Sequence, residues 1–410
     1  MPRISHVLFL LLASLVTAGV VGTSFDAVAK DKKEEKKDDK KIDDKKKDDK
    51  KDDKKKEEKK DDKKIDDKKK EEKKEEKKEP FKPDPAQQEF KHVEKDKSFW
   101  IFAVSFSGDG KTVAASYRDN SVKIWDLATK KDTQTLKGPA KDVKGLANYK
   151  SLVYVKDQVL VGTGRWNTEK KVREGEIRVW DAKTGKAGTA LLGHTMDVEA
   201  LAVSKDGKYL ASASDDTTVK IWDLATGKET QTIKGHTGTV TSVSFSPDAK
   251  QVVTTSADKT VKVWDVAGAK EIASFKVEKE IEKKDPKGKV TKEKEVGREF
   301  THALFSNDGK KVIAGNLDGI IKIYDVEGKK ELQELKAHDG IWAIALSPDG
   351  TKLATGGYDQ TIKIWDAATG KDQKTIKAHL GTVTALSFSP DNQWLASGST
   401  DGVVKIWSVK

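Results

Sequence analysis

A Trp-Asp dipeptide recurs along the chain at a nearly fixed spacing, and this repeat constrains the fold more than any other feature of the sequence. Two further units carry altered copies, Tyr324-Asp325 and Trp407-Ser408, so there are seven repeats. Successive copies lie 55, 42, 42, 60, 41 and 42 residues apart. A period near 42 residues with strand-like content predicts an all-β protein, a seven-bladed β-propeller of four-stranded antiparallel blades. The unaltered copies begin at Trp125, Trp180, Trp222, Trp264 and Trp365.

Strands and turns follow the same order within each repeat. In the fourth repeat, an innermost strand at 240–245 is followed by strands at 252–255 and 260–264, and then by an outermost strand. Pro-Asp and Asp-Gly sequences, such as Pro247-Asp248, mark the tight turns. We therefore expect the propeller to occupy residues 88–410.

The seventh repeat is short of one strand. The chain ends at Lys410, where the outermost strand of this blade should begin, and residues 88–94 form a solitary strand ahead of the first repeat. We expect this N-terminal strand to complete the last blade. Such a closure locks the ring and removes the exposed strand edges that otherwise favour aggregation.

Residues 1–29 have the features of a secretory signal peptide. Arg3 precedes an apolar stretch at 7–21, and Ala27-Val28-Ala29 matches the small-residue site at which signal peptidase cleaves. The sequence therefore predicts export to the periplasm or the extracellular space, with no membrane span after cleavage. The alternative is an uncleaved membrane anchor, although the apolar run of 15 residues is shorter than the roughly 20 residues of a spanning helix.

Residues 30–79 alternate Lys-Lys with Asp-Asp or Glu-Glu and contain 26 Lys and 22 acidic residues among 50. Too few apolar side chains remain to form a core. Like charges fall four residues apart in this pattern, which disfavours a single helix. We therefore expect a disordered tether, joined to the propeller by a Pro-rich junction at 80–87. The tether either only spaces the propeller or associates with a charged envelope polymer.

The folded part of the chain carries little excess charge. The whole chain has a formal net charge of +11 and no cysteine, and residues 80–410 account for +7 of that charge. Both signs are interspersed, so the chain lacks the clustered basic face of a nucleic-acid-binding protein, which argues against DNA or RNA as a partner. Without disulfides, the stability of an exported ring must come from blade packing and closure.

Three sequence elements recur together: a Gly-His such as Gly235-His236, an Asp six residues before the tryptophan, and the Trp-Asp dipeptide. In this combination the chain resembles the WD-repeat family of β-propellers over about residues 88–410. The resemblance implies a buried network in which the loop His bonds the Asp and, through a strand Ser or Thr, the Trp indole. Four blades carry the full set: His194, Asp216 and Trp222; His236, Asp258 and Trp264; His338, Asp359 and Trp365; and His379, Asp401 and Trp407. The expected strand hydroxyls are Ser212, Thr254, Thr355 and Ser397.

Three blades depart from this pattern. The histidine position holds Lys97 in the first blade, Pro139 in the second and Val296 in the fifth. The second blade also has Glu174 in place of the Asp, and the fifth has Tyr324 in place of the Trp. A buried polar group without a partner costs about 1–3 kcal/mol. We therefore expect these blades to be held by packing and by their neighbours.

No catalytic constellation is visible in the sequence. His92 and His302 are the only histidines outside the signal segment and the networks, and neither has a Cys, His or acidic partner at metal-ligand spacing. The chain has no Gly-x-Ser-x-Gly motif, no phosphate-binding glycine-rich loop and no His-Glu-x-x-His motif. The recurring Asp residues are explained as turn formers and network members. We therefore expect no catalytic residue, no metal and no cofactor.

Both long insertions fall on one face of the predicted ring. The connection before each innermost strand and the turn between the second and third strands open on this face, the top rim. The second repeat is 13 residues over length, with extra residues at 165–173, and the fifth is 18 over length, with its excess at 276–298. Surface loops tolerate insertions, so these additions are either neutral drift or binding elements.

Aromatic and arginine side chains are expected on the same face. Such residues are enriched at interface hot spots. Positions at the start of the innermost strand, or just before the turn Asp, look towards the top rim in the WD-repeat family. The alternative for each residue is a packing role against a neighbour. The candidate partner-binding residues are Phe102, Arg118, Arg165, Trp166, Trp342 and Tyr358.

These features predict an exported, non-enzymatic scaffold that binds a protein or peptide outside the cytoplasm. The alternative is a propeller enzyme, or a carbohydrate or envelope-polymer binder, that acts at the central channel. Acidic or His side chains at the channel mouth, beyond the network set, would favour this alternative. A third option, a purely structural envelope protein, predicts a featureless top rim.

Overall fold

The structure of the protein is a computed structural model, which describes residues 88–91, 93–94, 97–98, 100–138, 149–167, 169–276, 278–284 and 290–410. The described residues belong to one compact unit, Phe81–Lys410. The expected signal peptide (1–29), tether (30–79) and junction (80–87) lie outside the described residues, as do His92 and Pro139. Within the described ranges, no helix is long and apolar enough to cross a membrane.

Seven four-stranded antiparallel sheets form the blades, numbered I to VII in chain order, as the repeat predicted. Three short strands precede blade I: β1 (Gln88–Lys91), β2 (Val93–Glu94) and β3 (Lys97–Ser98). Blade I contains β4 (Ile101–Phe106), β5 (Thr112–Tyr117), β6 (Ser121–Asp126) and β7 (Lys131–Lys137). Blade II contains β8 (Ser151–Val155), β9 (Gln158–Asn167), β10 (Val172–Asp181) and β11 (Leu191–Leu192). Blade III contains β12 (Val198–Val203), β13 (Tyr209–Ser214), β14 (Val219–Asp223) and β15 (Lys228–Ile233).

The remaining strands follow in the same order. Blade IV contains β16 (Val240–Phe245), β17 (Gln251–Ser256), β18 (Thr260–Asp265) and β19 (Lys270–Lys276). A separate two-stranded sheet follows, β20 (Glu278–Lys284) with β21 (Val290–Val296). Blade V contains β22 (Phe300–Phe305), β23 (Lys311–Asn316), β24 (Ile320–Asp325) and β25 (Lys330–Lys336). Blade VI contains β26 (Ile341–Leu346), β27 (Lys352–Gly357), β28 (Thr361–Asp366) and β29 (Asp372–Lys377), and blade VII contains β30 (Val383–Phe388), β31 (Trp394–Ser399) and β32 (Val403–Ser408).

Apolar residues form the strands, and serine–aspartate turns end them. In blade IV, Val252 and Val261 are fully buried on the two central strands. At the end of β16, the Ser246 hydroxyl donates to Asp248 Oδ1 at 2.7 Å, which satisfies the polar groups of the turn locally. Ala249 completes this turn at a φ of 59°. The chain can therefore reverse within five residues and pair β16 with β17.

The repeated aromatic residue explains the repeat period. The ring has one apolar core at each interface between neighbouring blades, and each core contains the aromatic residue of the later blade. Trp264 of blade IV, for example, packs with Val219 and Ile221 of blade III. Burying one such side chain contributes on the order of 4 kcal/mol. Each blade thus needs one Trp or Tyr to seal it against the blade before it.

The N-terminal strand closes the ring, as the sequence predicted. Strand β1 pairs antiparallel with β32, with Gln88 opposite Ile406 and Lys91 opposite Val403. Phe90 is buried in the core shared by blades VII and I. The closing strand is shorter than the expected 88–94, because β2 turns away from β32 and pairs with β3.

The two insertions are β-hairpins, whereas the sequence suggested loops. In blade II the turn between the second and third strands is extended by ten-residue strands β9 and β10, paired to their ends at Asn167 and Val172. Strands β20 and β21 pair over seven positions between blades IV and V. Because successive strands are antiparallel, both hairpins lie on the top rim. This face comprises 118–120, 165–174, 215–218, 257–259, 317–319, 358–360 and 400–402, and the connections at 193–197, 234–239, 277–299, 337–340 and 378–382.

Candidate interaction surface on the top rim

A hydrogen-bonded network joins the top rim to the body of blade III. Because Asp216 can only accept, the His194 Nδ1–H donates to Asp216 Oδ2, at 2.7 Å. The Ser212 hydroxyl then donates to His194 Nε2 at 2.7 Å, and the Trp222 indole N–H donates to the same Ser212 oxygen at 2.8 Å. This continuous chain of donors and acceptors pairs buried polar atoms that water does not reach. The loop that carries His194 is thereby tied to the strand that carries Trp222.

The same contacts occur in blades IV, VI and VII. The distances from His Nδ1 to the Asp are 2.7, 3.0 and 3.0 Å. Those from the strand hydroxyl to His Nε2 are 2.6, 2.8 and 2.7 Å, and those from the indole N–H to the hydroxyl are 2.8, 2.9 and 2.8 Å. The structure thus brings these residues together as one set per blade. The sets are His236, Asp258, Thr254 and Trp264; His338, Asp359, Thr355 and Trp365; and His379, Asp401, Ser397 and Trp407.

The networks keep their carboxylates ionised. Burial opposes the ionisation of Asp216, but hydrogen bonds from His194 and Thr218 outweigh it and hold the pKa of Asp216 below its ordinary value. The other three network Asp residues have pKa values lowered in the same way. In blade VII, burial lowers the pKa of His379, so this ring is neutral at neutral pH. These groups are committed to one another, which gives them a structural role.

Aromatic packing takes over in the three blades that lack the network histidine. In blade V, the backbone N–H of Arg298 also donates to Asp318 Oδ2 at 2.7 Å, so this turn Asp is bonded without a histidine. Each of the three repeat aromatics packs against a second ring, which holds the blade without a polar network. The pairs, with their centroid distances, are Trp125 and Phe90 at 5.5 Å, Trp180 and Tyr149 at 5.8 Å, and Tyr324 and Phe275 at 4.2 Å.

Two groups of aromatic and arginine side chains lie at the top ends of blades VI and I. In blade VI, the rings of Trp342 and Tyr358 meet edge to face with centroids 5.4 Å apart. In blade I, the Arg118 guanidinium lies 4.8 Å from the centre of the Trp100 ring. Phe102 and Trp342 occupy the bulge position of their innermost strands, β4 and β26. Trp100 was not among the residues expected from the sequence.

Arg165 and Trp166 lie on the hairpin of blade II. The Arg165 guanidinium donates to Glu174 Oε2 at 3.0 Å, across the ladder in which these two residues are paired. Hydrogen bonds from Lys170 and Asn167 further lower the pKa of Glu174, to about 2. Arg165 therefore helps to hold the hairpin together. The backbone of Trp166 lies opposite Arg173, and its side chain is outside what the structure describes.

Exposed large apolar side chains concentrate on the top rim. The described residues include six of them, and four of these lie on this face. The other two, Leu192 and Leu332, lie on the outermost strands β11 and β25. The top rim is therefore the most apolar face that the described part of the ring exposes to solvent. Its four exposed residues are Val172, Met196, Val296 and Leu380, with exposed fractions of 45%, 46%, 69% and 66%.

An acid–base cluster lies at the top ends of the innermost strands of blades II and III. Lys150 forms an ion pair with Glu199. Arg173 forms another with Asp197, at 2.5 Å. Carboxylate oxygens of Asp197, Glu199 and Asp215 lie within 4.8 Å of one another. Three carboxylates thus face two cations, which leaves one negative charge for a proton to neutralise.

Glu199 is the group in this cluster that takes the proton. Burial, together with Asp215, raises the pKa of Glu199 to about 8, against the attraction of Lys150. Carboxylates at this spacing can hold a metal ion, but Lys150 and Arg173 already supply the cations here. Glu199 occupies the bulge position of β12, as Phe102 and Trp342 do in theirs. Aligning the repeats on this position identifies it, but the sequence analysis considered only aromatic and arginine side chains.

Comparison with known proteins gives partial relatives. The chain is 31% identical over 130 residues to a nuclear distribution protein nudF of Aspergillus terreus, an alignment that covers 30% of this chain and 29% of that protein. It is 28% identical over 123 residues to the human angio-associated migratory cell protein, covering 30% of this chain and 25% of the relative. These alignments span less than a third of either relative.

The family model described as "WD domain, G-beta repeat" matches six segments of the chain, which together cover more than half of it. The unmatched part of the propeller includes most of blade II, which lacks both the network histidine and the network aspartate. The matched segments are 88–126, 185–223, 227–265, 297–325, 329–366 and 370–408. With these matches, seven closed blades and four complete His–hydroxyl–Trp networks, the chain belongs to the WD-repeat family of β-propellers.

Proposed function

We propose that the protein is a non-enzymatic scaffold that binds a protein or peptide across its top rim. The observation that carries this proposal is the concentration of exposed apolar side chains on that face, where Val296 is 69% and Leu380 66% exposed. Apolar groups left in water on one face of a folded domain mark an interaction surface. Propellers of the WD-repeat family typically serve as protein-interaction scaffolds.

Blades VI, VII and I supply the strongest part of this surface. These three blades are consecutive, because β1 joins blade VII to blade I. Leu380 projects from blade VII between the Trp342 and Tyr358 pair of blade VI and the Arg118 group of blade I. Aromatic and arginine residues are enriched at binding hot spots, and a rigid scaffold holds them in place at little entropic cost. The surface suits a partner segment that carries apolar side chains.

Affinity capture followed by titration tests this function. We expect the single variants Trp342→Ala, Arg118→Ala and Leu380→Ser each to weaken binding of the captured partner by about 1 kcal/mol or more. Trp166→Ala tests whether the hairpin of blade II also takes part. Matched controls are Lys205→Ala and Lys250→Ala in turns on the opposite face, which should leave affinity unchanged. A partner released only by the control variants would show that the wrong face has been assigned.

A second candidate function places binding or chemistry at the channel mouth. The acid–base cluster favours it, because Glu199 and Asp215 are carboxylates outside the network set at the top ends of the inner strands. A protonated Glu199 can donate as well as accept a hydrogen bond. Glu199→Gln separates the two candidates. Loss of partner binding in this variant, with Trp342→Ala and Arg118→Ala unaffected, would place the function at the channel mouth.

We further propose that the protein acts outside the cytoplasm. The apolar stretch at 7–21 and the Ala27-Val28-Ala29 site support export with cleavage after Ala29. Intact-mass measurement on protein from the native host tests this directly. The expected mature chain begins at Lys30, whereas a chain that still begins at Met1 or Pro2 would indicate a membrane-anchored protein.

The charged segment at 30–79 is proposed to act as a spacer, with association to a charged envelope polymer as the competing role. Its alternating Lys and acidic doublets support either role, since they carry many charges of both signs. Co-sedimentation with isolated envelope polymers, using the mature chain and a variant without 30–79, distinguishes them. Equal sedimentation supports the spacer, and loss of sedimentation in the shortened chain supports adhesion.

A further inference from the structure

The turn between the first and second strands, the bottom turn, is short in one blade. In six blades it has five residues, and a Ser at its start donates to an Asp two residues later at 2.5–2.7 Å. In blade II it consists only of Lys156 and Asp157, with Lys156 at a φ of 53°. Blade II therefore reaches less far across the bottom face. The five-residue turns are 107–111, 204–208, 246–250, 306–310, 347–351 and 389–393.

Five-residue bottom turns fill the space between neighbouring blades. Asn307 Nδ2 of blade V donates to Pro348 O of blade VI at 2.9 Å. The backbone N–H of Asp349 in blade VI donates to Asn392 of blade VII at 3.0 Å. Where blade IV meets blade III, Ala249 of the bottom turn packs against their common core. The two-residue turn of blade II has no residue at that place.

A cleft of about 480 Å³ opens at this point between blades I and II. Ile124 and Ala182 supply an apolar part of its wall. Tyr154 also lines it, and its hydroxyl is fixed by a hydrogen bond of 3.1 Å with Thr112. A cleft of this volume lies within the size range of small-molecule binding sites.

Four charged side chains around the cleft balance one another. Asp109 and Asp157 are acidic, and Lys156 and Lys183 are basic. Lys183 Nζ lies 3.0 Å from Asp157 Oδ1, with both side chains largely exposed. Carboxylates accept hydrogen bonds and ammonium groups donate them. The cleft thus presents strong acceptors and strong donors beside an apolar wall, without net charge.

We propose that this cleft binds a neutral saccharide. Sugar hydroxyls both donate and accept, so a row of them matches a lining that alternates carboxylate and ammonium groups. The C–H faces of a sugar ring fit the wall formed by Ile124 and Tyr154. An anionic ligand would meet Asp109 and Asp157, and a cationic ligand would meet the two lysines. The cleft lies opposite the top rim, so a saccharide and a protein partner can bind at the same time.

Isothermal titration of the full chain with defined oligosaccharides tests the ligand class. The neutral probes are tetrasaccharides of glucose, of xylose and of N-acetylglucosamine. The charged probes are tetragalacturonate and the tetramer of glucosamine. We expect saturable binding of at least one neutral probe, and weaker binding of both charged probes. No neutral binding at millimolar concentration, or preference for a charged probe, would overturn the proposal.

A matched pair of variants tests the place of binding. Thr133 lines the cleft from β7, and its hydroxyl donates to Ile124 O at 3.2 Å. Thr230 is its counterpart in β15 of blade III, where the hydroxyl donates to Ile221 O at the same distance of 3.2 Å. Both side chains are exposed, so a bulkier residue is tolerated at either position. Thr133→Trp should fill the cleft and weaken binding of the neutral probe by about tenfold or more, and Thr230→Trp should leave it unchanged.

Asp157→Asn provides a second variant that keeps the shape of the cleft. It removes one carboxylate acceptor from an exposed turn, so the fold should tolerate it, and we expect a loss of affinity of about threefold. Thermal unfolding of each variant verifies that the ring is intact. Equal affinities for Thr133→Trp and Thr230→Trp, or for Asp157→Asn and the unchanged protein, would place the saccharide elsewhere.

Discussion

At the scale of single residues, one hydroxyl holds each complete network together. In blade III, Ser212 accepts from the Trp222 indole and donates to His194, at 2.8 and 2.7 Å. The Ser212 side chain is fully buried. Its removal would leave both an indole N–H and an imidazole nitrogen without partners where water does not reach.

We therefore expect Ser212→Ala to lower the free energy of unfolding by about 2–4 kcal/mol, since two buried polar groups each lose a partner. Urea denaturation at neutral pH measures this. The control is Thr226→Ala, which removes a hydroxyl that donates to Asp223 at 2.9 Å in an exposed turn. This control should cost less than about 1 kcal/mol. Equal losses in the two variants would contradict a stabilising network.

His302 on β22 makes stability depend on pH. Its Nδ1 is buried and has no hydrogen-bond partner among the described residues. Burial lowers the pKa of His302 to about 4, from an ordinary value of 6.5. The unfolded chain therefore binds the proton first, and the folded state loses stability as the pH falls from about 6.5 towards about 4.

We expect this group to remove about 2 kcal/mol of stability between pH 7 and pH 4.5. His302→Gln cannot take up the proton, so its free energy of unfolding should fall less over the same interval. Urea denaturation of both proteins at the two pH values gives the comparison, in which all other titrating groups are shared. An identical pH dependence would mean that His302 does not titrate as described.

Residue-scale features were predictable where the repeat itself marks them. Phe102 and Trp342 were identified because their type and their place in the repeat agree. Lys150 and Glu199 were missed although they pair in space. They lie 49 residues apart in a part of the chain where an insertion disturbs the period, so only the assembled blades show that they meet.

At the scale of elements, the closing strand β1 is the clearest case of a short segment with a large effect. It covers the edge of β32, and Phe90 completes the core between blades VII and I. Deleting residues 80–95 should therefore lower the melting temperature of the whole ring. Deleting 30–79 should leave it nearly unchanged, because the described ring uses none of those residues. Differential scanning fluorimetry on both variants and the parent chain decides, and three equal melting temperatures would refute the role of β1.

The sequence predicted the blade strands well and the two hairpins poorly. Strands such as β17 and β18 combine valines with turn residues, so both their type and their ends are visible. Strands β20 and β21 consist mainly of Lys and Glu, which have low strand propensity. Their stabilisation depends on register, which places Glu280 opposite Lys294 and Glu282 opposite Lys292. Such cross-strand pairing is not visible from either segment alone.

At the scale of the whole molecule, every blade depends on both neighbours. One apolar core fills each of the seven interfaces, including the one between blades VII and I. We therefore expect one cooperative unfolding transition for the ring. Ser212→Ala in blade III should shift this transition as a unit without splitting it. Scanning calorimetry measures this, and a separate early transition in the variant would show that blade III unfolds independently.

The cleft between blades I and II was not predictable from the sequence, because it results from residues that are missing. The two-residue turn at Lys156 and Asp157 is an ordinary hairpin turn when read alone. Its effect appears only beside the five-residue turns of the other blades. The fold class, in contrast, follows from a repeat that any single copy already suggests.

The closure by β1 also has a consequence for biosynthesis. Gln88 pairs with Ile406, so the first strand of the ring to leave the ribosome joins one of the last. Throughout elongation the nascent chain must keep an unsatisfied strand with an apolar Phe90 at its leading end, while six blades assemble behind it. Contacts between residues so far apart in sequence form slowly. A chaperone that shields this leading segment until translation ends would therefore protect the whole molecule from premature edge-to-edge pairing.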